Sequence, residues 1–149
     1  IDVGVFSQLE FDSRINVSLE RYIKQVTLEA ETVAEMVMTQ VVPAAEKQLA
    51  LTGSAWKSVT EAGGKATIYS GRVKALTAGL EGVLDGVEKL QKMLHEVHAI
   101  HDEARVCARL GSDVRPLMQS VREAADMIEN LVDDEFWPLP KYREMLLVK

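Results

Sequence analysis

The sequence predicts an all-α fold, an elongated antiparallel three-helix bundle formed by one domain. The first observation is α-helical periodicity, because apolar residues recur at steps of three and four along most of the chain. The second is composition: 5% aromatic residues, 9 Gly and 4 Pro leave little material for β-sheets. The third is the length of 149 residues, which suits one domain with its own core. We therefore expect residues 1–149 to form a single helical domain.

The first predicted helix covers about residues 7–52. It opens at Ser7 and Glu10, whose side chains can each bond the other's free backbone amide in a capping box. One helix face then carries Ile15, Leu19, Tyr22, Val26, Ala30, Val33 and Val37. Pro43 lacks an amide proton and crowds the preceding turn, yet the apolar face continues beyond it. The sequence leaves open whether this long helix is straight or kinked at Pro43.

The second predicted helix, about residues 66–110, carries the strongest periodic pattern in the chain. A seam with the steps typical of a coiled coil runs through Val73, Leu76, Leu80, Val83, Val87, Leu90, Leu94 and Val97. The same stretch contains Gly71, Gly79, Gly82 and Gly86. Each glycine costs up to about 1 kcal/mol of helix propensity unless a neighbour packs closely against it. We expect the helix to form in spite of them.

The third predicted helix covers about residues 113–134. Gly111 is a natural residue for the end of the second helix, and Ser112 or Asp113 can cap the third. Pro116 then falls in the first turn, where a missing amide proton is harmless. Because this connection is short, the third helix should run antiparallel to the second.

A tail rich in proline and aromatic residues, residues 136–149, follows the third helix. Trp137 and Leu139 each stand directly before a proline, which favours extended backbone at both positions. Such apolar side chains would be costly to leave in water, so we expect the tail to dock on a protein surface. This bundle and a neighbouring domain or subunit are both open as that surface. The predicted interaction residues are Trp137, Leu139, Tyr142 and Arg143.

Two stretches of the chain resemble type III glutamine synthetases. The segment from Trp137 to Leu146, WPLPKYREML, resembles the C-terminal end of that family. Residues 6–43 resemble the family segment that follows the catalytic core. That second resemblance rests on Arg14, Glu20, Tyr22, Glu29, Ala30 and the Val42-Pro43-Ala44 sequence. Between about residues 53 and 112 the chain matches the family in helical character alone.

The resemblance implies a C-terminal, non-catalytic module of a larger cytoplasmic ligase that joins ammonia to glutamate. It implies ATP and Mg²⁺ or Mn²⁺ for the parent enzyme, and a dodecamer in which this module contacts the preceding catalytic domain and neighbouring subunits. Catalytic, cofactor-binding and metal-binding residues of that family precede the matching region, so we expect none here and an inactive isolated fragment. Ile1 in place of a starting Met fits an excised piece. The alternative is a free-standing helical-bundle interaction module.

Charge and cysteine content argue against several other functions. A net charge of −6 and a pI of about 5.1 leave no basic surface for nucleic acid or an anionic membrane. No apolar run approaches the ~20 residues that span a bilayer. Cys107 is the one cysteine, which excludes an internal disulfide and fits a reducing compartment such as the cytoplasm.

Three histidines and several carboxylates remain as candidates for chemistry. His95, His98 and His101 stand three apart, a spacing at which neighbouring imidazoles approach each other on a helix. His95 and His101, however, lie about 120° apart around the helix axis, which disfavours a shared metal ion. We favour solvated histidines, with metal binding as the open alternative. The carboxylates typical of a solvated helix face are Glu29, Glu31, Glu35, Glu46 and Asp133 to Glu135.

Overall fold

A computed structural model describes residues 6–141, and within this range the protein is helical, which confirms the predicted all-α bundle. The helices are α1 (Gln8–Met36), α2 (Val42–Glu61), α3 (Thr67–His98), α4 (Glu103–Arg109) and α5 (Arg115–Glu129). A first π turn (Val37–Val41) joins α1 to α2, and a second π turn (Leu110–Val114) joins α4 to α5. None of the described helices is long and apolar enough to cross a membrane.

These segments form three long helices that pack side by side. Long helix 1 comprises α1, the first π turn and α2; long helix 2 is α3; long helix 3 comprises α4, the second π turn and α5. The thiol of Cys107 lies 3.8 Å from the carbonyl oxygen of Leu19, and Gln48 bonds the backbone of Asp133. The earlier residue of long helix 1, Leu19, contacts the earlier Cys107, and the later Gln48 contacts the later Asp133. Long helices 1 and 3 therefore run in the same direction.

Long helix 1 begins as predicted and ends later than predicted. The Ser7 N–H donates to the Glu10 carboxylate at 2.8 Å, while the Ser7 hydroxyl accepts from the Glu10 N–H at 3.3 Å. The helix continues past the predicted end near Gly53. A Cβ added at Gly53 would have no neighbouring atom within 4 Å. It ends at a turn in which Gly63 adopts a φ of 75°, a conformation that suits glycine.

Each π turn lies just ahead of a proline in the sequence. The N–H of Val42 donates to the carbonyl of Val37, one residue further back than in an α-helix, and Pro43 follows. The N–H of Arg115 likewise donates to the carbonyl of Leu110 ahead of Pro116. A proline ring clashes with the carbonyl of the preceding helical turn, and the wider π turn relieves this clash. Long helix 1 therefore passes Pro43 without a break.

Long helix 2 ends at His98, well before Gly111, so the predicted position of the second connection is wrong. The side chain of Asp102 accepts a hydrogen bond from the N–H of Arg105 at 3.1 Å and caps α4. Gly111 and Ser112, which were expected to end one helix and begin the next, lie inside the second π turn. That turn accommodates the proline that follows, so no helix end is needed there.

The predicted seam of long helix 2 forms the centre of the core. Its buried members are Leu76, Leu80, Val83, Val87, Leu90, Leu94 and Val97. The glycines beside this seam let α5 approach closely. A Cβ on Gly79 would lie 2.8 Å from Ile128 Cγ1, and one on Gly86 would lie 2.7 Å from Val121 Cγ2. Because the numbering rises on α3 as it falls on α5, these two helices are antiparallel.

Candidate functional site

The described part of the tail, residues 136–141, packs on the bundle itself. Trp137 is 9% exposed and joins the hydrophobic core, with Leu139 half-buried against it. This is one of the two surfaces that the sequence leaves open. Tyr142 and Arg143 lie outside the described residues. A contact of these tail residues with a partner stays a prediction.

A buried glutamine connects long helix 1 to the start of the tail. Gln48 is 4% exposed, and its side-chain oxygen accepts a hydrogen bond from the backbone N–H of Asp133 at 2.9 Å. Its amide group donates to the hydroxyl of Thr52 at 3.1 Å. A buried side-chain amide without such partners would be costly, so this pair fixes where the tail leaves α5.

Two cations bond carbonyl groups in the turn that follows the end of long helix 3. Arg72 of α3 donates to the carbonyl of Leu131 at 2.6 Å. Lys141 donates to the carbonyl of Val132 at 3.1 Å, and its side chain is 12% exposed. Cations at a helix C-terminus both satisfy free carbonyls and complement the helix dipole. They hold the tail in the turn that brings Trp137 back onto the bundle.

Replacing Gln48 with Ala should lower the free energy of unfolding by about 1–2 kcal/mol, because the backbone N–H of Asp133 loses its buried partner. The matched control is Gln119→Ala, which removes an exposed hydrogen bond to Glu123 and should change stability by less than about 0.5 kcal/mol. Urea denaturation of the two variants measures the difference. Equal effects at both positions would contradict the role assigned to Gln48.

A pocket of about 300 Å³ lies between the tail and the bundle. Val37 and Val41 of the first π turn, Ala125 of α5, and Trp137 and Leu139 of the tail form its apolar lining. The π turn therefore contributes two of its wall residues. The pocket exists because the tail crosses the gap between long helices 1 and 3, which sequence patterning does not predict.

The pocket has a polar rim, and a buried polar atom of Trp137 lies without a partner nearby. Arg122, Asp126 and Glu129 of α5 line it together with the apolar residues, and the Arg122 and Asp126 side chains approach to 3.9 Å. The indole Nε1 of Trp137 is buried and has no hydrogen-bond partner among the described residues. A buried N–H group without an acceptor is unusual in a folded protein.

The first part of α1 carries apolar side chains that the described part of the chain covers only in part. All residues from Phe6 to Ser18 are exposed. Phe11 and Ile15 are 51% and 40% exposed, although they share a helix face with buried Val26. We call Phe11 and Ile15 the overhang face. Sequence periodicity places Ile15 on the apolar face of the helix but does not show that it stays partly exposed in the described structure.

The three histidines do not form a site. His95 and His98 lie in the last turn of α3, His101 lies in the connection to α4, and all three are exposed. Among residues 6–141 no group of three or more His, Cys, Asp or Glu side chains is arranged to hold a metal ion. The carboxylates of Glu29, Glu31, Glu35 and Glu46 lie on the exposed surface of long helix 1. Asp133 to Glu135 follow the end of α5, where Asp134 pairs with Lys141 at 2.6 Å.

Cys107 has the environment of a packing residue. Its thiol is half-buried beside the carbonyl of Leu19. Burial raises the pKa of the Cys107 thiol, and the nearby Glu103 carboxylate raises it further. A nucleophilic cysteine needs the opposite shift, because the thiolate is the reactive form.

Comparison with known proteins gives these surfaces a context. Residues 1–58, which include the overhang face and the first π turn, match the family described as "Glutamine synthetase C-terminal domain". The chain is 26% identical over 98% of its length to the type-3 glutamine synthetase of Dictyostelium discoideum. It is 27% identical over 97% of its length to a glutamine synthetase of Bacteroides fragilis, and 27% identical over 96% to one of Butyrivibrio fibrisolvens.

The matches cover nearly all of this chain and a small part of each relative. The chain spans 21% of the length of each of these three proteins. The tail that resembles the end of type III enzymes falls within these matches, as does the first long helix. The comparisons therefore confirm the predicted resemblance: this chain is similar, over nearly its whole length, to the C-terminal region of type-3 glutamine synthetases.

Proposed function

We propose that this chain is a non-catalytic helical module of a type-3 glutamine synthetase that supports contacts to the catalytic domain or between subunits. The parent reaction is the ATP-dependent ligation of ammonia to glutamate in the cytoplasm, with Mg²⁺ or Mn²⁺ held by the catalytic domain. Neither ATP nor the metal has a binding residue proposed in this module. Its partners are the preceding catalytic domain and neighbouring subunits of a homo-oligomer.

The overhang face carries this proposal. Phe11 and Ile15 lie in the part of the chain that matches the family, ahead of the contact between Leu19 and Cys107 and in a stretch whose residues are all exposed. Burying a large apolar side chain gains about 1.5–3 kcal/mol, so covering these half-exposed residues with a second protein surface is favourable. A helix whose apolar face continues past the end of its own bundle is typical of a contact between domains or subunits.

The charged groups of the bundle support a structural role. Many of its ion pairs join exposed residues one helical turn apart, such as Lys24 with Glu20 at 3.3 Å and Lys89 with Asp85 at 2.6 Å. Pairs of this kind are typical of solvated helix faces and add little stability. These ion pairs do not place a general acid and a general base on opposite sides of a cleft, as an acid–base catalytic site would.

The experiment replaces the overhang face in a protein that includes the catalytic domain. Phe11→Ser together with Ile15→Ser should weaken its assembly by about 2 kcal/mol, roughly thirtyfold, because the two half-exposed side chains no longer gain burial. Light scattering coupled to size exclusion, followed as the protein is diluted, measures the assembly. Glutamine formation should fall in parallel as subunits or domains separate.

The matched control is Val17→Ser together with Leu28→Ser. These residues are 63% and 64% exposed. Val17 lies about two and a half helical turns before buried Val26, which places the two side chains on opposite sides of α1, and Leu28 lies on the same side as Val17. Assembly should then stay near that of the unmodified protein. Equal weakening by both pairs, or by neither, would contradict the proposal. Loss of stability of the isolated chain on changing Phe11 and Ile15 would also contradict it, because the overhang face would then belong to the bundle.

A further inference from the structure

We propose that residues 142–149 of this chain occupy a groove between long helix 1 and α5, with Arg143 against an acidic part of the groove and Glu144 against a basic part. The proposal is independent of the overhang face. It selects the bundle, rather than a neighbouring domain or subunit, as the surface that the last tail residues bind. Its support comes from the shape and charge of the groove, the position of Lys141 and the sequence of the segment.

The groove consists of two adjoining cavities. The first, of about 300 Å³, is the pocket beside Trp137 and Leu139, and the second, of about 230 Å³, lies toward the start of α5. Val33 of α1 and Arg122 of α5 line both cavities, which therefore follow the same pair of helices. The groove thus continues beyond the described part of the tail.

The described tail ends beside the first cavity. Pro140 lines this cavity, and the ammonium group of Lys141 is fixed 2.6 Å from the carboxylate of Asp134. The eight residues that follow span about 12 Å as a helix and about 26 Å in extended form. The second cavity reaches Arg115, about 10 Å along the helix axis from Arg122. The segment is therefore long enough to fill the groove in either form.

Charged residues divide the groove into two parts. Asp126 and Glu129, which we call the acidic pair, line the cavity next to the tail. Arg115 and Arg122, which we call the basic pair, line the cavity toward the start of α5, together with Glu29 of α1. A segment that enters beside the tail therefore passes the acidic pair first and the basic pair second.

The sequence of residues 142–149, YREMLLVK, has its charges in the matching order. Arg143 comes first and suits the acidic pair, and Glu144 comes next and suits the basic pair. Such matching favours one placement of the segment, because the opposite placement brings like charges together. Residues 145–148 are all apolar and gain from contact with Met118, which lines the second cavity.

The test places a nitroxide spin label beside the groove and follows the methyl signals of Leu146 and Leu147 by nuclear magnetic resonance in the full chain. The label is attached through Glu123→Cys in a Cys107→Ser background, because Cys107 is the one cysteine. Glu123 is exposed and accepts a hydrogen bond from Gln119, which lines the groove. The label should remove most of the intensity of both leucine signals, since a bound segment lies close to it.

The matched control attaches the label through Glu81→Cys in the same background. Glu81 is exposed on α3, a helix that does not line the groove, and it precedes Gly82, which faces Ala124 of α5. The two labels therefore lie at a similar height in the bundle but on different sides of it. The loss of leucine intensity should be much smaller with this label. Circular dichroism checks that both labelled chains keep their helices.

Three results would overturn the proposal. Unchanged leucine signals with the label at residue 123 would leave the groove open to another protein surface. Equal losses from the two labels would show that the segment has no preferred place on the bundle. Losses that arise when the label and the isotope-enriched leucines are on different molecules would identify a second copy of the chain as the occupant.

A charge exchange tests the placement of the segment. Glu144→Arg should restore at least half of the intensity that the label at residue 123 removes, because it sets a cation against the basic pair. Adding Arg115→Glu should bring the loss back. If Glu144→Arg leaves the loss unchanged, the matching of charges is wrong and the proposal fails.

Discussion

Replacing Trp137 with Ala should lower the free energy of unfolding of this chain by about 3–5 kcal/mol, the range for losing a large buried aromatic side chain. Trp137 is 9% exposed and packs in the core shared by long helices 1 and 3. Its removal leaves a cavity beside an existing pocket and frees the tail from the bundle. Thermal and urea denaturation followed by circular dichroism measure the loss.

Two further variants separate packing from hydrogen bonding at this position. Trp137→Phe keeps most of the ring and removes the unpaired indole N–H, so it should cost about 1 kcal/mol or less. Trp56→Ala removes a tryptophan that is 36% exposed and should cost less than about 1 kcal/mol. If Trp137→Ala were no more destabilising than Trp56→Ala, the tail would not belong to the core of the bundle.

Replacing Gly79 and Gly86 together with Ala should destabilise the chain by about 2–4 kcal/mol, although alanine is the better helix former. The new methyl groups would lie 2.8 Å from Ile128 Cγ1 and 2.7 Å from Val121 Cγ2. Both contacts are with β-branched side chains, which are stiff, so α3 and α5 must move apart. The free energy of unfolding from urea denaturation gives the size of the effect.

Gly71→Ala is the control for helix propensity. Gly71 lies near the start of α3 with nothing within 4 Å of the position its Cβ would occupy. The substitution should stabilise the chain by about 0.5–1 kcal/mol, since only the propensity changes. A stabilising effect of the double substitution at Gly79 and Gly86 would show that α3 and α5 do not approach as closely as described.

The sequence predicts the centre of the fold well because the signal there is local and repeated. The seam from Leu76 to Val97 has apolar residues at every expected step, and all of them are buried. The glycines beside that seam lower the helix propensity of α3. The structure explains them, because α5 packs closely against α3 at Gly79 and Gly86. A close approach between two helices is a property of both partners, so the sequence of one helix cannot reveal it.

The helix ends were harder to predict for a physical reason. Gly111 and Pro116 are stronger local signals of a helix boundary than Asp102, and their spacing suits the end of one helix and the start of another. The second π turn absorbs the proline and lets the helix continue. The apolar pattern also persists across the true connection, because the helices on both sides face the same core.

The candidate surfaces depend on long-range contacts that periodicity does not contain. Trp137 was predicted to dock, but its position against Val37 and Val41 follows from the folded tail. Ile15 belongs to the same apolar face as Val26, and only the structure shows that one is exposed and the other buried. Sequence periodicity indicates which apolar side chains share a helix face. The packing of neighbouring helices decides which of those side chains are buried.

The most direct test of the proposed function compares glutamine formation from glutamate, ammonia and ATP by two proteins. One is a longer protein in which a catalytic domain precedes this chain, and the other is residues 1–149 alone. The account predicts ATP-dependent glutamine formation by the longer protein and none by the isolated chain, even when the chain is fully folded. Activity of the isolated chain, or a longer protein that assembles but makes no glutamine, would contradict it.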